Sequence, residues 1–568
     1  MKKKIVLFLL TVSLVHSYKS TLAQGAYMPI DDQTYANMER LEVKSGKLSN
    51  SFHTNLKPFE RDDIGAFLDS FDTLSYIKLS KNDKVLFDNL QASNWEFSKN
   101  KIYKSNDSKK PLFKYLFQKN SDFYQVSTDD FDVHLSPIVH YSQGSSNGGD
   151  LGATKKMFIN TRGIEIRGRI NKKLGFYTMM ADNQATSPVF LARYFESYPG
   201  IPYQSFVKIK DENFKELQAD YFQAFGYISF KPIKSLTMTF GHDKNFIGSG
   251  IRSMILSDFS APYLQLKSRL KIGRFEYLSI LGQMTNLQVQ NLGNSTTSFP
   301  PKYMAFHHLN VNITNKLNVG VFESVFYGKR DHGFEFNYLN PVIFYRFVEG
   351  FLGSTDNAMV GADFKLNLFK SISTYGQYVL DEYNSKEFKK DGWWSKKYTW
   401  QLGAKYYDVF KIRNLDAQVE FNRARPYSYS HFTTSTNMVN YNMPVAHPLG
   451  ANFKEVIVKT SFHPIPNLQV SYIYMKALKG EDKDSLNYGG NLMLNNRYNR
   501  VGDYNNYIGQ GLENTIRNWK IEASYMVYQN MFLDFGLQRR KDVYTKSKAE
   551  TIMEFSVRWN ISRKRFLF

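Results

Sequence analysis

Arginine, tyrosine and histidine side chains that could bind a ligand are concentrated in a few stretches rich in glycine and proline. These stretches cover residues 241–253, 338–346, 423–431 and 446–453. Arginine forks bind carboxylates or phosphates and aromatic faces stack on sugar rings, so the stretches could bind an acidic glycan. The candidate ligand-binding residues are Arg252, Arg346, Arg423, Arg425, Tyr427, Tyr429, His431 and His447.

The same composition also has a structural interpretation. Glycine and proline fix tight turns. Arginine and tyrosine side chains can then hold long loops folded against the rest of the protein, for example in the mouth of a barrel. The sequence leaves both interpretations open.

Catalytic and metal-binding patterns do not stand out. The sequence contains neither an HExxH zinc helix nor a GxxxxGK[ST] phosphate-binding loop. His307 and His308 are adjacent, so in a strand they would point to opposite faces and could not share one metal ion in the ordinary way. We therefore expect a non-enzymatic protein with no cofactor and no metal site.

The first residues have the three parts of a cleavable export signal. A basic run at residues 2–4 precedes an apolar stretch at residues 5–15 and small residues near Ala23, which predicts a signal peptide over residues 1–24. The chain has no cysteine, so no disulfide holds the fold. The net charge is +21. Export argues against nucleic acid, which leaves acidic glycans, lipid headgroups or simply solvated lysines as explanations.

From about residue 131 onward, apolar and polar residues alternate with a period of two. The last such segment places Met553, Phe555 and Val557 on one face and Glu554 and Arg558 on the other. Aromatic residues make up 16% of the chain, which suits the two aromatic girdles of a transmembrane barrel. We therefore expect amphipathic strands with apolar residues outside.

The connections between these segments differ in length. Short ones, such as those near residues 315–316, 369–371 and 529–530, alternate with long ones, such as residues 184–220 and 424–452. This asymmetry predicts an outer-membrane barrel of about 18 antiparallel strands, with both chain ends on the short-turn, periplasmic side. A terminal phenylalanine, Phe568, follows the last alternating strand. It resembles the C-terminal signal that the outer-membrane insertion machinery reads, and the alternative is that it is the ordinary end of the barrel-closing strand.

Residues 25–128 have a different, partly helical period, as in Ile64, Phe67, Leu68 and Phe71. This pattern predicts that residues 25–128 form a helical or mixed periplasmic domain. The domain is either a plug or cap for the barrel, or a module that docks a partner. Residues 129–568 are then expected to form the barrel. Inward charges of both signs favour a filled, salt-bridged lumen. The alternative is a pore or uptake channel for a small solute or oligosaccharide.

The sequence resembles the Wzi-like capsule-assembly family of outer-membrane proteins, and within it the gliding-motility branch called RemB. The resemblance begins near residues 52–58 and is strongest at residues 339–346, 352–357 and 425–453. It implies an 18-stranded barrel with a small helical periplasmic domain. It also implies a role in binding or organising surface polysaccharide and, for the motility branch, in gliding or adhesion with other cell-surface proteins. No ligand residue is carried over from the family.

Overall fold

The computed structural model describes most of the chain. The described residues are 25–72, 79–97, 107–108, 115–128, 130–149, 155–171, 173–205, 207–209, 218–287, 290–291, 297–331, 333–382, 387, 390–543 and 548–568. The predicted signal peptide, residues 1–24, lies outside them. None of the described helices is long and apolar enough to cross a membrane.

Eighteen antiparallel strands form a closed barrel in which the first strand pairs with the last. The first nine strands are β1 Phe131–Asn147, β2 Lys155–Ile170, β3 Leu174–Thr186, β4 Gln218–Ile233, β5 Leu236–Asp243, β6 Tyr263–Ile272, β7 Phe275–Thr285, β8 Pro301–Asn312 and β9 Leu317–Gly328. The other nine are β10 Asn357–Leu368, β11 Ile372–Glu382, β12 Lys397–Tyr406, β13 Leu415–Ala424, β14 Phe453–Ile465, β15 Leu468–Glu481, β16 Leu512–Tyr528, β17 Met531–Asp542 and β18 Glu550–Trp559. The expected fold class is confirmed.

Short strands add to this barrel without changing its order. Tyr124–Ser127 pairs with β1 and Lys208–Ile209 with β4. Three further two-residue pairs lie in connections, and they join Leu56–Lys57 to Phe246–Ile247, Gln290–Asn291 to Thr297–Ser298, and Val439–Asn440 to Met443–Pro444.

The strands alternate as the sequence predicts. In β18, Met553, Phe555 and Val557 are exposed on the outer face. Arg558 faces the interior, where its Nε donates to Asp534 Oδ2 at 2.7 Å. Because the outer face is apolar and the inner face carries paired charges, the wall is suited to a hydrocarbon exterior.

Short and long connections also lie where the sequence predicts them, with one local difference. The prolines at residues 232 and 464 predict tight turns at residues 231–233 and 464–466, but strands β4 and β14 continue through them to Ile233 and Ile465. The pairing register shifts at both places. A proline has no N–H to donate to the ladder, so it is accommodated where the pairing is irregular.

Three helices precede the barrel, as expected: α1 Asp32–Ser45, α2 Arg61–Asp72 and α3 Lys81–Ser93. The carboxylate of Asp31 caps α1 by accepting from Thr34 N at 2.8 Å. The helices share an apolar core that includes Met38, Leu41 and Phe67. Later in the chain come α4 Val189–Ser197 and α5 Tyr345–Leu352, with 3-10 turns at Trp95–Phe97, Phe336–Leu339 and Val409–Lys411.

The N-terminal helices contact inward side chains at the short-turn end of the barrel. Arg40 binds Asp83 and Asp408, each at 2.7 Å, and also Asp416. Burial alone would raise the pKa of Glu39, but Lys365 and Lys405, at 3.1 and 2.5 Å, hold it down to about 2. These pairs neutralise charges of the wall, as the expectation of a salt-bridged lumen requires.

The end of the chain differs from the expectation. After β18, residues 560–568 turn back into the barrel instead of staying at the short-turn end, and Leu567 and Phe568 are buried. The ring of Phe568 packs against Phe190 and Phe259, which belong to long connections. The last strand therefore ends at Trp559, and the prediction that the C-terminus lies on the short-turn side is wrong for Phe568.

Candidate functional site

Six of the eight predicted ligand-binding residues are buried at the loop end of the barrel. They are Arg252, Arg425, Tyr427, Tyr429, His431 and His447. Their long connections fold inward and fill the mouth, with an apolar core that includes Ile255, Phe259 and Val445. The predicted residues therefore have to be judged by their contacts with the protein itself.

Arg252 and His447 meet at a buried carboxylate of the wall. Glu455, at the start of β14, lies 3.2 Å from Arg252 Nη2 and 2.8 Å from His447 Nε2. Burial lowers the pKa of His447, which favours the neutral ring. That ring accepts from Leu449 N at 3.1 Å through Nδ1. Both residues thus hold loops against the wall.

The stretch from Arg425 to His431 is held in the same way. Arg425 Nη2 donates to the carbonyl of Asn506 at 3.1 Å, and Tyr427 Oη donates to the carbonyl of Asn487 at 2.8 Å. Tyr429 Oη donates to the carbonyl of Met254 at 2.7 Å. His431 Nδ1 lies 2.7 Å from the hydroxyl of Thr436. These contacts match the loop-holding interpretation.

The other two predicted residues lie on the outside of the barrel. Arg423 is on the outward face of β13, and Arg346 is in α5, which packs against the outer wall. The Arg346 side chain is 73% exposed and pairs with Glu349 at 2.5 Å. The eight residues therefore do not form one site. Whether any of them contacts a glycan stays a prediction.

The loop end carries a partly exposed aromatic group that the sequence analysis missed. We call Trp393, Trp394 and Tyr504 the aromatic ledge. The ring centroids of Trp393 and Tyr504 are 5.2 Å apart, and those of the two tryptophans 6.0 Å. The guanidinium of Arg500 lies 4.0 Å from the centroid of the Trp394 ring.

Polar groups border the ledge. Tyr504 Oη donates to Glu387 Oε2 at 3.0 Å, and Lys390 pairs with Glu387 at 2.9 Å. The side chains of Lys390 and Tyr504 are both exposed, so a large ligand such as a polysaccharide can contact them. An aromatic surface flanked by cations and a carboxylate can stack on sugar rings and bind their acidic and hydroxyl groups.

Backbone contacts between two connections hold the ledge in place. Trp394 N donates to the carbonyl of Asp503 at 2.8 Å, and Asn506 N donates to that of Gly392 at 2.9 Å. Gly392 has a φ of 66°, and a Cβ there would lie 2.4 Å from Asn505 N. Glycine is thus required where the two connections cross.

Two of the predicted residues support the ledge from below. Besides binding Asn506, Arg425 Nη2 lies 3.4 Å from the carbonyl of Trp393. The Tyr427 ring meets Trp394 edge to face, with centroids 6.0 Å apart. The Trp393-Trp394 pair was a usable sequence signal, but its partner Tyr504 lies in a distant connection.

Candidate catalytic groups have structural surroundings. Residues 144–148 match the GxSxG spacing of a nucleophilic serine, which the sequence analysis overlooked. Ser146, however, lies within β1 and not on a strand-to-helix turn, and its hydroxyl donates to Glu550 at 2.5 Å. His307 faces out and His308 faces in, where it contacts Asp363 at 2.5 Å. Within the described ranges, no group of three or more His, Asp or Glu side chains could hold a metal ion.

A closed barrel with an apolar outer face and a packed, charged interior defines the class of integral β-barrel membrane proteins. Residues 139–551, well over half of the chain, match the family of the capsule assembly protein Wzi. The chain therefore belongs to the Wzi capsule assembly family, and it is an outer-membrane β-barrel. The predicted family is confirmed, whereas membership of its gliding-motility branch stays a prediction.

The solved structure of a carbohydrate-binding barrel agrees with this fold, and two further structures are less similar. Wzi of Escherichia coli, described as an outer membrane protein involved in group 1 capsule assembly and a carbohydrate-binding β-barrel, has a TM-score of 0.56 at 14% identity, covering 95% of this chain and 100% of that chain. OccAB4 of Acinetobacter baumannii has a TM-score of 0.42 at 9% identity, covering 76% and 98%. OprD of Pseudomonas aeruginosa has a TM-score of 0.39 at 12% identity, covering 75% and 92%. A comparison with curated proteins gave no match.

Proposed function

We propose that this barrel binds or organises surface polysaccharide, and that the aromatic ledge is its contact surface. The observation that carries the proposal is a group of two half-buried tryptophans and the exposed Tyr504, bordered by Arg500 and Lys390, at the mouth of a barrel of the capsule assembly family. Arg500 and Lys390 suit a glycan that carries carboxylates. Tyr504 and Trp393 provide the stacking faces.

This proposal assigns different roles to the residues predicted from sequence. Arg425 and Tyr427 position the ledge through Trp393 and Trp394, and the buried Arg252, Tyr429, His431 and His447 hold the loops beneath it. The long connections face outward from the cell, and the short turns and the N-terminal helices face the periplasm. In that position the helices act as a plug, since they neutralise the wall charges at that end.

Binding of purified protein to acidic polysaccharides tests the proposal. We expect Trp393→Ala with Tyr504→Ala to weaken binding by about tenfold or more, because both stacking faces are removed. Phe410→Ala is the matched control, since Phe410 is an exposed aromatic residue at the short-turn end. Equal binding by the double variant and the control would refute the ledge as the contact surface.

The alternative function is a pore or uptake channel. A cavity of about 230 Å³ lies inside the barrel beside the C-terminal residues, with Arg252, Phe259 and Arg565 among its lining residues. The loops and helices above and below it favour a barrel that conducts almost no ions. Steady conductance in planar bilayers, together with no glycan binding, would favour the channel instead.

A contribution to gliding or adhesion remains a finer proposal that rests on the family resemblance. It predicts that a deletion strain spreads less over surfaces and adheres less. Complementation with the Trp393→Ala and Tyr504→Ala variant distinguishes a glycan-dependent effect from one that needs protein partners. Full rescue of spreading by this variant would mean that motility does not depend on the ledge.

A further inference from the structure

Six basic side chains form a continuous group on the outer face of five neighbouring strands. They are Arg423 on β13, Lys454 on β14, Lys476 on β15, Arg517 on β16, and Arg539 and Lys541 on β17, and we call them the basic belt. All of them point away from the lumen near the loop ends of their strands. The belt shares no residue with the aromatic ledge.

The belt lies above an apolar band on the same strands. From Val527 to Arg517, β16 runs for about 10 residues, which is roughly 33 Å along the strand at roughly 3.3 Å per residue. A tilt of roughly 40° reduces this to about 25 Å of height, the thickness of the apolar band of an outer-membrane barrel. The belt therefore lies at the level of the outer-leaflet headgroups.

The pairing of the strands brings like charges of the belt together, which destabilises the sheet unless anions neutralise them. Lys476 lies directly opposite Arg517, Arg517 opposite Lys541, and Arg423 opposite Lys454. Like charges directly opposite each other destabilise a sheet. Across the described residues, none of the six has an ion pair, and the outward carboxylate of Glu513 lies further along β16, beyond Thr515. The belt thus needs anions from outside the protein.

Neighbouring strands show that this composition is local. At the loop end of β12 the outward residues are Tyr398 and Trp400, and on β18 they are Thr551 and Met553. The six basic residues on β13 to β17 are thus bounded on both sides by strands whose outward residues at this level are uncharged. This arrangement favours a bound anion at one face over general solvation.

We propose that the basic belt binds the phosphate groups of an anionic lipid headgroup in the outer leaflet. A phosphorylated glycolipid such as lipid A has the required chemistry, since its phosphates lie at the headgroup level and each can contact two adjacent cations. Such binding seats the barrel against a defined lipid on the side of β13 to β17. The site is independent of the glycan surface proposed above.

The test compares lipid binding by full-length variants in zwitterionic nanodiscs. The probe is bis-phosphorylated lipid A, with monophosphorylated lipid A, phosphatidylethanolamine and inorganic phosphate as comparisons. We expect Lys454→Gln with Lys476→Gln, Arg517→Gln and Arg539→Gln to weaken lipid A binding by more than about tenfold. Lys234→Gln with Arg274→Gln, Lys316→Gln and Lys483→Gln removes the same charge at exposed positions elsewhere and should change binding by less than about twofold.

The outcomes are distinct. Tight binding of lipid A that weakens with added salt and with each lost phosphate supports the proposal. Equal binding by both quadruple variants, or equal binding of phosphatidylethanolamine and lipid A by the native protein, overturns it. Binding of inorganic phosphate as strong as that of lipid A would also overturn it, because the site would then not be a lipid site. Retained cooperative unfolding of the variants shows that a loss is not due to misfolding.

Discussion

Two long connections fold in opposite directions. The connection with Arg252, residues 244–262, enters the barrel, whereas that with Arg346, residues 329–356, packs against the outside of β8 and β9. In each, a wall glutamate accepts two successive backbone N–H groups. Glu420 accepts from Ile251 at 2.6 Å and Arg252 at 3.0 Å, and Glu323 accepts from Tyr345 at 2.7 Å and Arg346 at 3.1 Å.

The difference lies in which face of the wall carries the glutamate. Glu420 points into the lumen, and Glu323 points out, where His307 contacts it at 3.2 Å. A carboxylate on the outer face would be costly against lipid, so Glu323 requires a covering segment. Helix α5 begins at Tyr345, where Glu323 satisfies its free N–H groups and its positive end. The side of the wall that carries the acid thus determines where the loop folds.

Removing the Arg252 side chain should produce the largest effect. Arg252→Met leaves Glu455 buried without its charged partner, although His447 and Asn422 still bind it. We expect the free energy of unfolding to fall by about 3 kcal/mol. The measurement is denaturant unfolding in detergent, with Arg346→Met as control. An unchanged midpoint would show that the inward connection does not depend on this pair.

Removing the outer cap should have a smaller and local effect. Glu323→Ala deprives Tyr345 and Arg346 of their hydrogen-bond acceptor, which we expect to cost about 1 to 2 kcal/mol of local stability. Trypsin should then cleave faster after Arg346, while planar-bilayer conductance stays unchanged because the lumen filling is intact. If the variant conducts, the outer connection and the lumen are coupled and the comparison fails.

The sequence predicts the wall far better than the loop directions, for a physical reason. The period of two depends on each residue's own face, so the strands and their turns can be located locally. The direction of a loop depends on residues of other strands, such as Glu323 or Glu420, so the composition of the connection itself does not give it. An acid at an outward position of β9, together with outward His307 on β8, was the available signal.

The candidate site shows the same limit. The buried residues from Arg425 to His431 were identified as important from composition, but their role as supports follows from contacts with Trp393, Asn487 and Met254. The ledge joins Trp393 to Tyr504, and this adjacency arises only from packing of two connections. The inward path of Phe568 likewise depends on Phe190 and Phe259, which no local pattern links to it.

The surroundings of the two connections can be compared directly because the chain has no cysteine. Val342 and Phe351 are 86% and 81% exposed on the far side of the outer connection, and we expect them to contact lipid. Spin labels on Val342→Cys and Phe351→Cys should relax more with oxygen than with a water-soluble nickel complex. A label on Tyr507→Cys, at the exposed loop end, should show the reverse. Preferential nickel relaxation at Phe351 would place the outer connection in water.

The smallest expected effect completes the comparison of the two arginines. Arg346→Met removes an exposed side chain whose pair with Glu349 is screened by solvent, so the free energy of unfolding should fall by about 0.5 kcal/mol or less. The backbone N–H of residue 346 still donates to Glu323, so the hydrogen-exchange rates of the α5 amides should be unchanged. Hydrogen exchange is used here because the substitution removes the trypsin site itself. A loss as large as that of Arg252→Met would mean that the outer connection is held by the Arg346 side chain and not by the wall glutamate.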